Sequence, residues 1–135
     1  MDPTTPLLIV DAANVVGSRP DGWWRDRAGA TARLRDSLAP LAAAGLPPRL
    51  APPVEVVLVV EGRARDVPGT TGVRVVAAPG SGDDTVVDLV AAAPRRRRLV
   101  VTADRELRER VSAQGAEVYG PRWLRDGAAP PEESR

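Results

Sequence analysis

Five short aliphatic runs constrain the fold of this chain more than anything else in it. Leu7-Leu8-Ile9-Val10 is continuous and ends at Asp11. Val54 to Val60 is rich in Val and carries one charge, Glu55. Val73 to Ala77, Leu99-Val100-Val101-Thr102 and Glu117-Val118-Tyr119 follow. Apolar runs without alternation belong to strands covered on both faces, as in parallel α/β sheets.

Helical patterns lie between the runs. Ala30, Leu34, Leu38 and Leu41 recur at steps of four and three, with Pro40 as an interruption and Gly45 as a stop. Ser81 to Ala93 puts Val86, Val87 and Val90 on one stripe, closed by Pro94. Arg105 to Gln114 pairs Leu107 with Val111 before Gly115, and a short helix is expected near Arg122 to Asp126. The order β-α-β-β-α-β-α-β, with right-handed crossovers, predicts a doubly wound, mostly parallel sheet of about five strands. A chain of 135 residues holds one such domain, placed over 1–126. Gly62 to Gly72 reads as a connection without a clear helix. Leu46 to Pro53, rich in Pro, and 127–135, a polar tail, read as unstructured.

Composition removes whole classes of chemistry. Cys and His are absent, and all 19 basic residues are Arg. There is therefore no thiolate, no imidazole base, no Cys-based zinc site and no catalytic or phosphate-binding lysine. Carboxylates, hydroxyls, amides, Arg and bound ions remain. Met1 to Pro6 carry an Asp and no positive charge, which predicts no signal peptide. The apolar stretches are too short to span a membrane, so a cytoplasmic protein is expected. The net charge of +1 leaves the oligomeric state and the choice of partner open.

Ligands of open parallel sheets bind beyond the carboxyl ends of the strands. Three of those ends carry acids here: Asp11, followed by Ala12-Ala13-Asn14; Asp83 and Asp84, after Pro79-Gly80-Ser81-Gly82; and Asp104, followed by Arg105-Glu106. Each has a plainer reading. Ser81 and Asp84 have the spacing of a capping box, Asp104 suits an N-cap, and Asn14 could close an Asx-turn. Asp11, straight after four aliphatic residues, is harder to explain as structure, because a buried carboxylate is costly unless paired or metal-bound. Acids that converge raise one another's pKa, and a divalent cation relieves the conflict. An all-oxygen donor set suits Mg²⁺ or Mn²⁺, with Glu106 as a further ligand. Such a site activates water and offsets charge on a phosphodiester, as in metal-dependent nucleases.

These segments, with Gly115-Ala116-Glu117-Val118 and Gly120-Pro121-Arg122-Trp123-Leu124, resemble the YacP-like branch of the NYN domains, within the PIN-like nuclease superfamily. The resemblance implies a Rossmann-like, three-layer α/β/α domain with strand order 3-2-1-4-5. It also implies a Mg²⁺ or Mn²⁺ site and endonucleolytic hydrolysis of RNA, and it admits a ribosome or other translation component as partner. By position, Asp11, Asn14, Asp83 or Asp84, and Asp104 match the family's site. Two alternatives stand beside the ribonuclease: a catalytically weak RNA-binding module, and a phosphohydrolase of nucleotides or pyrophosphates.

Arg95 to Arg98 is the obvious basic run, but it precedes the fourth strand and so lies at the edge away from the acids; a solvated loop is expected there, with a remote contact to a nucleic-acid backbone as the alternative. The nucleic-acid contacts expected on the acid edge are Arg19, Arg25 and Arg27, Arg63 and Arg65, and Arg105, since Arg forks suit phosphate. Trp23 and Trp24 could stack bases, one of them exposed and the other buried. Trp123 is placed in the core.

Overall fold

The computed structural model describes residues 4–18 and 22–127. Five strands form one sheet: β1 (Leu7–Asp11), β2 (Glu55–Val60), β3 (Val73–Ala77), β4 (Arg98–Val101) and β5 (Glu117–Tyr119). All pairings are parallel, and the order is β3-β2-β1-β4-β5. The expected topology is the observed one. β1 is central, with Val10 opposite Leu58 on one side and Val101 on the other.

Side-chain alternation along the strands feeds two cores. Leu8, Val10, Val56, Leu58, Leu99 and Val101 face one way, onto α1 (Ala12–Gly17), α2 (Arg27–Leu38), α3 (Leu41–Ala44) and α6 (Pro121–Gly127). Ile9, Val57, Val59 and Val100 face the other, onto α4 (Gly82–Ala91) and α5 (Arg105–Ser112), which bury Val86, Val90, Leu107 and Val111. Both faces are apolar, so the strands could not have alternated polar and apolar residues. Among the described residues no helix is long and apolar enough to cross a membrane.

Three expectations need correction. Among the described residues the first crossover holds three α-helices: α1, which was not expected, follows β1 directly, and the break between α2 and α3 falls at Pro40 as expected. Leu46 to Pro53 is ordered. Leu46 and Leu50 form a small antiparallel bridge and are buried in the core, and Gly45 turns into it at φ +68°, where a Cβ would meet the Leu50 carbonyl at 2.3 Å. The arginine run is a set of ties and not a solvated loop. Arg96 donates to the Thr5 carbonyl and to Glu55, both at 2.8 Å, and Arg97 forks onto Glu117 at 2.6 and 3.0 Å. Arg98 is 7% exposed and donates to three carbonyls, those of Val90 and Gln114 at 2.7 Å and of Arg96 at 3.1 Å. Arg95 alone fits the original reading, being exposed. The helix expected near Arg122 is α6; it includes Gly127, and 128–135 lie outside the described residues.

Candidate active site

The carboxyl end of the sheet gathers its acids by strand parity. Asp11 stands two residues beyond Ile9 and Thr102 two beyond Val100, so both continue the face covered by α4 and α5. Asp11 is 5% exposed and Thr102 fully buried. The Thr102 hydroxyl donates to Asp11 Oδ2 at 3.0 Å, and its oxygen accepts the Asp104 amide at 3.1 Å. Asp11 Oδ1 receives only a long contact, 3.5 Å, from the Asn14 amide at the start of α1. The Asn14 side chain reaches across to β4: its Oδ1 accepts the Ala103 amide at 2.7 Å. That bond aims an amide NH₂ which has no partner among the described residues.

Asp104 caps α5 by accepting the Leu107 amide at 3.0 Å, so the N-cap reading is correct for it. The capping box at Ser81 is not formed. Ser81 accepts from the Asp83 amide at 3.1 Å, while the Asp84 carboxylate turns to Arg110 at 3.0 Å. Asp83 and Asp84 therefore separate: Asp83 is half-buried toward the other acids, and Asp84 is an exposed ion-pair partner.

Glu61 belongs to this group, although the sequence reading passed over it. It follows β2 and stands two residues beyond Val59, again on the α4 face, and Oε1 accepts the Gly82 amide at the start of α4. Gly82 suits that approach, since a Cβ would lie 2.6 Å from the same oxygen and the Glu61 carboxylate would have to shift. Its signal was available: Glu61 ends an aliphatic run just as Asp11 does.

The electrostatics match the geometry. Burial, reinforced by the charges of Asp83 and Glu61, pushes Asp11 up from 3.8 to about 6 against the hydrogen bonds from Thr102 and Asn14. Asp83 is also raised, first by burial and then by Asp104, Glu61 and Glu106, with Arg110 opposing. Glu106, in the first turn of α5, is exposed, and its charge helps to raise Asp83. Among the described residues no three acidic side chains are drawn together into a preassembled metal site. The donor set nonetheless suits Mg²⁺, which is commonly held by one or two carboxylates with the remaining positions left to water and phosphate. Mutually repelling acids, one of them buried, are a site that a cation would stabilise.

Beside the acids lies a cavity of about 240 Å³. Ala12, Ala13 and Val16 form its apolar side; Trp23, Arg27 and Thr31 face them, and Glu61 and Gly62 close it. Trp23 is half-buried and Trp24 is 58% exposed, the division expected of the pair, and their rings meet edge to face at 6.1 Å. Arg25 lies over Trp24 and Arg27 over Trp23, at 5.7 and 5.2 Å from the ring centroids. Arg63, Arg65 and Arg105 are exposed, while Arg19 lies outside the described residues. Trp123 is half-buried, stacked on Tyr119 at 4.1 Å, at the margin of the core.

No family model and no curated protein sequence matches the chain. Its structure is similar to the crystal structure of a point mutant of Rae1 (YacP) from Bacillus subtilis. That likeness has a TM-score of 0.73 and covers 92% of this chain and 75% of that one, at 20% sequence identity. The fold is thus shared with that YacP structure: an α/β domain with a fully parallel, five-stranded sheet.

Proposed function

We propose that the chain is a metal-dependent endoribonuclease whose site is Asp11, Glu61, Asp83 and Asp104, with Asn14 beside them. One observation carries the reading: a buried Asp at the end of the central strand, raised to about 6 beside Asp83 and Glu61, with Asp83 in turn raised by Asp104. Asp11 also caps α1 through the Asn14 amide, but at 3.5 Å that contact is long, and among the described residues no cation pairs with the buried carboxylate. The YacP-like fold supports a nuclease over other α/β chemistries.

Asp11 and Asp83 would hold a Mg²⁺ or Mn²⁺ ion, with Glu61 and Asp104 beside them adding negative charge. When bound, the ion supplies a Lewis acid that activates water and offsets charge developing on the phosphodiester. Thr102 fixes the Asp11 carboxylate and leaves Oδ1 weakly engaged, hence free to bind. Asn14, held by the Ala103 amide, directs its NH₂ to a phosphate oxygen or to the attacking water. Arg25, Arg63, Arg65 and Arg105 draw the RNA backbone by charge neutralisation. Asp84 takes no part, because Arg110 holds it.

The test is cleavage of labelled single-stranded RNA with Mg²⁺ or Mn²⁺. Cleavage is expected to vanish in EDTA and to fall at least ~100-fold in Asp11→Asn, the usual scale for one electrostatic group in such a site. Undiminished cleavage in either arm overturns the mechanism. Salt-dependent RNA binding with no turnover would leave the binding module as the function.

A further inference from the structure

We propose that the 240 Å³ cavity beside the acids is a pocket for one nucleobase of the RNA, and that the base it prefers is guanine; this rests on the ribonuclease reading. Size limits the occupant first. A cavity of roughly 150 Å³ admits a benzene ring, and drug-sized ligands need about 300 Å³ or more, so this one takes a single base.

The lining then selects the chemistry. The Ala12-Ala13-Val16 side and the Trp23 ring form apolar walls of the kind that accept a base face. Thr31 is 3% exposed, lines the cavity and makes no hydrogen bond among the described residues. The hydroxyl is not sealed off, since Arg96 Nη2 is the one buried side-chain polar atom left without a partner among the described residues, so the hydroxyl can be reached from the cavity. Arg27 rides on Trp23, forms no ion pair among the described residues, and so holds a free guanidinium fork at the pocket. Adjacent acceptors on one edge match that fork. Guanine presents them as O6 and N7, whereas adenine sets a donor beside its N7.

Because Ala12 follows Asp11 and Glu61 borders both spaces, a base seated here places its own phosphate next to the acids.

The experiment is a titration of the purified protein with guanosine, adenosine, cytidine, uridine and 7-deazaguanosine in EDTA, following backbone amide NMR shifts at Ala13, Thr31 and Gly62. Nucleosides carry no phosphodiester, so the result is independent of turnover. Saturable shifts are expected, with guanosine bound at least about 5-fold more tightly than the other four, the lower end for a bidentate contact. Thr31→Val, which keeps shape and loses the hydroxyl, should weaken guanosine about 3- to 10-fold. Arg27→Lys keeps the charge but loses the fork, and should bring guanosine and adenosine level. Shifts that fail to saturate, or that appear elsewhere, overturn the pocket. Equal binding of all five nucleosides overturns the guanine assignment. RNA cleavage without nucleoside binding would sink this proposal and leave the ribonuclease standing, and the reverse outcome would do the opposite.

Discussion

The Thr102 hydroxyl donates to Asp11 Oδ2 across the β1–β4 pairing, and this neutral donor is the closest hydrogen-bond partner the buried carboxylate has. The bond lowers the Asp11 pKa, but burial and the neighbouring acids outweigh it. Between 3.8 and about 6 the folded protein therefore holds a proton that the unfolded chain has released. Stability must fall as pH rises through that window and stay low above it, by on the order of 3 kcal/mol in the absence of divalent ions. Asp11→Asn removes the effect. Thermal unfolding in EDTA should show this variant more stable than the parent at pH 7.5 and equal to it near pH 4.

Divalent ions should reverse the penalty. Mg²⁺ or Mn²⁺ at a hundredfold excess over its dissociation constant adds about 2.7 kcal/mol to the stability of a one-site protein. Unfolding midpoints at pH 7.5 are expected to rise accordingly, and Asp83→Asn to lose most of the rise. Asp84→Asn should keep it and lose no more than about 1 kcal/mol of stability, since it breaks only an exposed pair with Arg110. Equal behaviour of the two variants would contradict the separation seen here.

Glu61→Gln keeps a carbonyl acceptor for the Gly82 amide but discharges the group. Asp11 should then titrate lower than in the parent, as followed by carboxyl NMR, while the fold is retained. Glu61→Ala strands the Gly82 amide as well and should cost about 1–3 kcal/mol in urea unfolding.

Arg98→Leu leaves the Val90, Gln114 and Arg96 carbonyls without their donor. The expected loss is about 3 kcal/mol or more. Arg95→Ala, at an exposed position, should stay within about 0.5 kcal/mol of the parent. Neither should alter the salt dependence of RNA binding, which fluorescence anisotropy would report.

Trp24→Ala should weaken single-stranded RNA about tenfold, within the range of one stacked base, with stability nearly unchanged. Anisotropy and thermal unfolding on the same variant separate the two effects.

The strands were legible because both cores require aliphatic side chains at every position of β1 before Asp11 and of β2 after Glu55, which leaves long aliphatic runs in plain view. The acids at those runs' ends were legible for the same reason. What escaped depended on distance in space. α1 is six residues long, Ala-Ala-Asn-Val-Val-Gly, too short for a helical period to register. Glu61 falls between the second run and the loop that follows it, and only the approach of α4 reveals its partner. Leu46 to Pro53 has the composition of a linker, yet two leucines dip into the core and hold it. Arg98 looked like solvated charge, because no local pattern shows that three carbonyls from separate segments converge on it. The choice between Asp83 and Asp84 likewise waited on Arg110, 26 residues on from Asp84.

The ties made by Arg96, Arg97 and Arg98 sit where the strands begin, one strand length, ~13 Å, from the acids. The bracing of the sheet and its working edge are thus at opposite poles. The molecule is a chassis with its keel at one end, and the turns after β2 and β4 could be transplanted from one such domain to another to retool what it grips.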